Sequence, residues 1–102
     1  MAIIEVSIVP IGTPTPSLSD YVARAFAVLQ HQKALKYELT PMGTIVEGDL
    51  DEALKVIRQM HDSVFGEGVR RVVTKITIDD RRDKAATMED KVSSVKDKLG
   101  KS

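Results

Sequence analysis

From Tyr37 to Gly48 the chain sets polar side chains against apolar ones on both sides of Pro41-Met42-Gly43. A two-residue repeat is the signature of a strand with one buried face, and it is incompatible with a helix. The stretch is therefore predicted to form two short strands joined at that tripeptide. Burying the apolar face leaves Glu38, Thr40 and Glu47 on the other.

The flanking segments supply the other elements. Ile3 to Val9 is rich in β-branched residues and reads as a strand, with Ile4, Val6 and Ile8 facing one way and Glu5 and Ser7 the other. Pro10 to Pro16 follows, a loop stiffened by proline in which Gly12 permits a sharp change of direction; it is either the rim of a pocket or a rigid connector. Ser17 then reads as a helix cap with Asp20 three positions on. The helix is predicted to run to about Lys33, burying Leu18, Val22, Ala25, Phe26 and Leu29. His31 falls near its last turn, where a cation suits the helix dipole.

The hairpin's first arm is expected to start near Leu35. After the hairpin, Asp49 with Glu52 repeats the cap signature. Leu50, Ala53, Leu54, Ile57, Met60 and Val64 recur at helical spacing, Met60 as core filler, and Gly66 and Gly68 mark the end. Val69 to Asp80 is the longest strand candidate. The mixed-charge run from Asp79 to Lys84 reads as a solvated loop. Thr87, with Asp90 behind it, caps a third helix whose narrow stripe of Met88, Val92, Val95 and Leu99 must lie against the body or another subunit. Gly100-Lys101-Ser102 is expected to fray.

The order strand, helix, strand, strand, helix, strand, helix predicts an α+β fold, the ferredoxin-like βαββαβ sandwich with an extra C-terminal helix. Four antiparallel strands would carry two helices on one face, with the first and third strands at the centre. The 102 residues suit a single domain, 1–102.

Composition removes several functional classes. Lys plus Arg equals Asp plus Glu at 15 each, so no basic excess exists to hold a nucleic acid. Without cysteine there are no disulfides, thiolate nucleophiles or thiolate metal sites, and His31 and His61 stand on different predicted helices outside any metal motif. No metal and no cofactor is expected. No stretch of about 18 apolar residues occurs, so no membrane partner is expected and the default location is the cytoplasm.

Alternation assigns Glu5, Ser7, Glu38, Thr40, Ile45, Glu47, Val73, Lys75 and Thr77 to the bare sheet face. That face is too polar for a second core and too poor in aromatics and positive charge to stack RNA. It suits a face-to-face subunit contact or a pocket that orients a small polar ligand.

Glu5-Val6-Ser7-Ile8-Val9-Pro10-Ile11-Gly12-Thr13, with Tyr37-Glu38-Leu39-Thr40-Pro41-Met42-Gly43-Thr44 and Ile45-Val46-Glu47-Gly48 later, resembles the small thiamine-binding-like family, which is related to the tandem-domain YkoF-type proteins. The resemblance spans essentially the whole chain. It implies a ferredoxin-like protomer, sheets packed face to face into homodimers, and dimers assembled into a homotetramer. It also implies binding of thiamine or a related hydroxymethylpyrimidine or thiazole compound, without catalysis.

Such a ligand calls for a carboxylate, hydroxyls and apolar walls. Glu47 is the first candidate, as acceptor for the aminopyrimidine or counter-charge for the thiazolium; the competing role is an inter-subunit ion pair with Lys75. Ser7 and Thr40 are candidates to hydrogen-bond the ligand or to satisfy the sheet interface. Thr13 and Thr44, flanking the two matching loops, are candidates to close a pocket or to stabilise turns.

The expected function is thus a non-enzymatic, oligomeric small-molecule binder at the open sheet face or a subunit interface. The alternative is a structural or regulatory module that assembles through the sheet face without a metabolite. The same topology carries acylphosphatases, which need an arginine in the loop after the first strand and an asparagine to position water. This chain has no asparagine and no arginine in that loop, so no such activity is expected.

Overall fold

The computed structural model describes residues 1–66, 68–83 and 87–100. Its elements are β1 (Ala2–Pro10), α1 (Ser19–Gln30), β2 (Lys36–Thr40), β3 (Gly43–Gly48), α2 (Leu50–Ser63), β4 (Val72–Asp80) and α3 (Met88–Gly100). The strands form one antiparallel sheet in the order β2-β3-β1-β4, which is the predicted sandwich with the first and third strands at the centre. Lys84 of the mixed-charge run and the Lys101-Ser102 end expected to fray lie outside the described residues.

The register shows why alternation fixes the layers. Ile4 stands opposite Val46 on one side and Ile78 on the other, and Val6 opposite Thr44 and Ile76, so these residues share the face that α1 and α2 cover. Ile4, Val6, Val46, Leu29, Ile57, Met60 and Val64 are fully enclosed between sheet and helices. Each such side chain contributes roughly 1.5–3 kcal/mol of hydrophobic stabilisation. Phe26 of α1 meets Tyr37 of β2 edge to face at 5.3 Å, tying the first helix to the hairpin. At the far end of α2, His61 Nδ1 and Thr74 Oγ1 are 2.7 Å apart, pinning that helix to β4.

Two of the three helix starts follow their sequence signals. The Asp49 carboxylate accepts from the Glu52 N–H at 3.1 Å, and Thr87 and Asp90 form a reciprocal capping box at 3.1 Å each way. The first does not: α1 begins with Leu18 at the cap position and no side-chain cap, while the Ser17 hydroxyl lies 3.5 Å from that of Ser19. On α2 the buried stripe is Ala53, Val56, Ile57 and Met60, so Val56 takes the place expected for Leu54, which is 37% exposed. The last strand begins at Val72, not Val69, which instead bridges Gly66 across a tight turn.

α3 lies beside the open sheet face with no buried residue. Its Lys91 pairs with Asp79 of β4. Among the described residues no helix is long and apolar enough to cross a membrane.

Candidate functional site

A cavity of about 270 Å³ opens where β3 begins and β1 runs on toward Pro10 with β4 as its one remaining neighbour in the sheet. Ser7 to Val9 of β1 form one side, Leu18 and the α1 residues Val22 and Ala25 form the roof, and Met60 of α2 closes the inner end. The β2–β3 hairpin, from Leu39 to Thr44, supplies the remaining wall.

The hairpin is held there by two local devices. The Thr40 hydroxyl donates to the Gly43 carbonyl at 2.9 Å and accepts from the Met42 N–H at 3.3 Å, so one side chain fixes both ends of the turn. Gly43 lets β3 pass close to β1, because a β-carbon at that position would lie 2.8 Å from the Val6 carbonyl oxygen. At the mouth, Leu39 and Met42 leave large apolar surfaces in solvent, 53% and 83% exposed. A guest in the cavity is within reach of both.

Thr44 is the polar group set deepest. It is 6% exposed and faces the helices from the position opposite Val6. Its hydroxyl has no hydrogen-bond partner among the described residues, so both its donor and its acceptor capacity remain available to a guest. Among the described residues no ionisable side chain lines this cavity. Its recognition is therefore that of a neutral, flat molecule with a polar edge: apolar walls for the ring, and hydroxyls for the heteroatoms.

The five residues singled out from the sequence divide accordingly. Ser7, Thr40 and Thr44 line the cavity, with the Thr40 hydroxyl engaged in the turn. Thr13 does not line it, and its hydroxyl donates to the Thr15 carbonyl at 2.8 Å, stiffening the proline-rich loop. Glu47 does not line it either. It stands on the open face, opposite Ile3 on β1 and Lys36 on β2, 2% exposed, with both carboxylate oxygens unpartnered among the described residues. Lys75 is opposite Ser7 on β4, four positions farther along β1 and on its other side. That offset is about 13 Å along the strand, too far for a pair within one chain.

Two larger clefts, of about 640 and 540 Å³, flank α3 on the open face and meet at Ile3. Both are lined by mixed charges, among them Asp79, Asp90 and Lys91 in one and Glu38, Lys91 and Lys96 in the other. Sequence reading placed a ligand at this face or at a subunit interface; the smaller cavity lies at the end of the sheet. Val22, Leu39, Met42 and Met60 were not recognisable as its walls, since a stripe position, two exposed apolar residues and a core methionine carry no common sequence signal.

Residues 4–96 match the family model described as thiamine-binding protein. A Bacillus subtilis relative, YqgV, is 50% identical over 98 residues, covering 93% of this chain and 94% of that one. Among solved structures, a Methanocaldococcus jannaschii protein superposes with a TM-score of 0.83 at 42% identity, over 92% of this chain and 94% of its own. A Bacillus cereus domain does so with a TM-score of 0.76 at 31% identity, over 89% and 86%.

Proposed function

The chain belongs to the thiamine-binding protein family, and from that premise we propose that it is a non-enzymatic small-molecule binder whose cavity takes the hydroxymethylpyrimidine half of thiamine or the free pyrimidine. The observation that carries this reading is the unpartnered Thr44 hydroxyl inside walls that hold no charge. An aminopyrimidine offers ring nitrogens and an amino group to hydroxyls, and a flat face to Val22, Ala25 and Met60. The thiazolium half carries a fixed charge, whose burial among apolar residues without a counter-ion is costly. It therefore belongs at the mouth, beside Leu39 and Met42. The size suits half of such a ligand, since about 270 Å³ lies below the roughly 300–1,000 Å³ of pockets that take a drug-sized ligand whole.

The protein would act in the cytoplasm as a carrier or sensor, and as a homo-oligomer. The cavity's side chains offer hydroxyls and thioethers but no acid–base pair or activated nucleophile, which supports binding without turnover.

Calorimetry with hydroxymethylpyrimidine, thiamine and the thiazole alcohol tests the reading. The pyrimidine and thiamine are expected to bind and the thiazole alcohol not, and Thr44→Val is expected to weaken binding about tenfold, the value of one hydrogen bond. Absence of binding by all three at millimolar concentration would favour the alternative of an assembly module without a metabolite.

A further inference from the structure

β1 bonds to its two neighbours with alternate residues, because the N–H and C=O of one residue in an antiparallel strand point to the same side. The Ile11 N–H donates to the Arg71 carbonyl at 2.8 Å, in the register that sets Val9 opposite Val73 and Ser7 opposite Lys75, so the odd-numbered residues bond toward β4. The even-numbered ones point to β3. Ala2, Ile4 and Val6 meet Gly48, Val46 and Thr44 there, and the ladder then stops. Ile8 is the next even residue. Met42, the position that would face it, lies in the hairpin turn and gives its N–H to Thr40, so among the described residues the N–H and C=O of Ile8 have no strand opposite them. They open into the cavity that Ile8 lines between β1 and the hairpin. Pro10, the even residue after it, has no N–H, so Ile8 is the last donor along this edge.

We propose that this free edge of β1 is a recognition element, the Ile8 N–H and C=O binding as a pair the side of a flat heterocycle that carries a hydrogen-bond acceptor next to a donor. An aminopyrimidine has such a side: the ring nitrogen accepts from the N–H, while the amino group beside it donates to the C=O. Backbone groups in a half-buried site require partners, and a guest lying in the plane of the sheet supplies both at once, as a neighbouring strand does elsewhere along β1. The spacing suits one ring. Thr44 stands opposite Val6, two residues back from Ile8, or about 6.6 Å along the strand, a distance that a single substituted six-membered ring covers. The Thr44 hydroxyl thus adds to the backbone pair and does not compete with it. The role of this edge rests on the cavity taking a pyrimidine; what it adds is selection for the amino group, made by main-chain atoms that no side-chain motif would reveal.

Amide hydrogen exchange read by nuclear magnetic resonance tests this on the unaltered chain. In the free protein the Ile8 amide is expected to exchange at least tenfold faster than those of Val6 and Val9, which are paired with β3 and β4. Saturation with hydroxymethylpyrimidine is expected to remove that difference. The analogue with hydrogen in place of the amino group is expected to bind at least tenfold more weakly, since it leaves the Ile8 carbonyl unpaired. Ile8→Pro, which removes the N–H without taking a bond from either ladder, is expected to lose affinity for the pyrimidine by a similar factor; should that variant not fold, exchange on the unaltered chain still decides. Pyrimidine binding with Ile8 still exchanging fast, an Ile8 amide already as slow as Val9 in the free protein, or equal binding of the analogue each overturns the role of the edge and leaves the pyrimidine reading standing. Absence of binding by either compound overturns both.

Discussion

The α-carbon of Gly43 stands so near Val6 that a β-carbon there would come within 2.8 Å of the Val6 carbonyl oxygen. That oxygen belongs to the backbone of a central strand and has nowhere to move. Gly43→Ala is therefore expected to destabilise the protein by about 1–3 kcal/mol, the usual cost of overpacking, and to distort the adjoining cavity. A denaturation midpoint, read beside ligand affinity, checks both effects; an unchanged midpoint would show that the hairpin shifts without strain.

Glu47 places two unpartnered carboxylate oxygens in a site only 2% exposed. Replacing a buried carboxyl group that has no hydrogen-bond partner by an apolar side chain of similar volume removes a desolvation penalty of roughly 1–3 kcal/mol. Glu47→Leu is accordingly expected to raise the unfolding midpoint. A lower midpoint together with a lost assembly mass would instead assign to Glu47 a cationic partner from another copy.

The Thr87–Asp90 capping box begins a helix that buries none of its residues, so its start depends on local bonds. Thr87→Ala is expected to cost that helix about 1 kcal/mol. Faster amide exchange should be confined to α3, with the sheet unaffected. Uniform loss of protection would mean that the helix supports the core.

Asp80 and Asp83 at the end of β4 are each held below the ordinary carboxylate value of 3.8, first by side-chain hydrogen bonds from Arg82 and Arg81 respectively. A depressed folded value means that the stabilisation is present above the unfolded pKa and disappears as pH falls through the folded one. These pairs are exposed, so their effect is small and salt-sensitive. Arg82→Gln is expected to move the Asp80 titration up toward 3.8 and to flatten the stability curve below that pH, which carboxyl carbon shifts and acid unfolding would report.

The order of elements was legible because its signals are local. Alternation through Tyr37–Gly48, the Asp49 cap and the Thr87 box each concern residues within a few positions of one another. The start of α1 was not, because Ser17 has a neighbour, Ser19, whose hydroxyl lies near its own. The cavity was illegible for a different reason: Ser7, Val22, Met42 and Met60 meet only after four separate elements have packed. Thr44 could be named from its place in a motif, but its depth follows from standing opposite Val6 on the buried side. Alternation put Val73, Lys75 and Thr77 on the open face, which leaves Ile76 and Ile78 for the covered one, yet it could not reveal that these two remain 42% and 44% exposed.

The charge-free lining of the cavity also governs how fast a guest arrives. Coulomb steering, which accelerates capture in charged clefts, has no source among those walls. Association at this site should keep the same rate constant from dilute buffer to molar potassium chloride, a behaviour that a stopped-flow mixing series would expose.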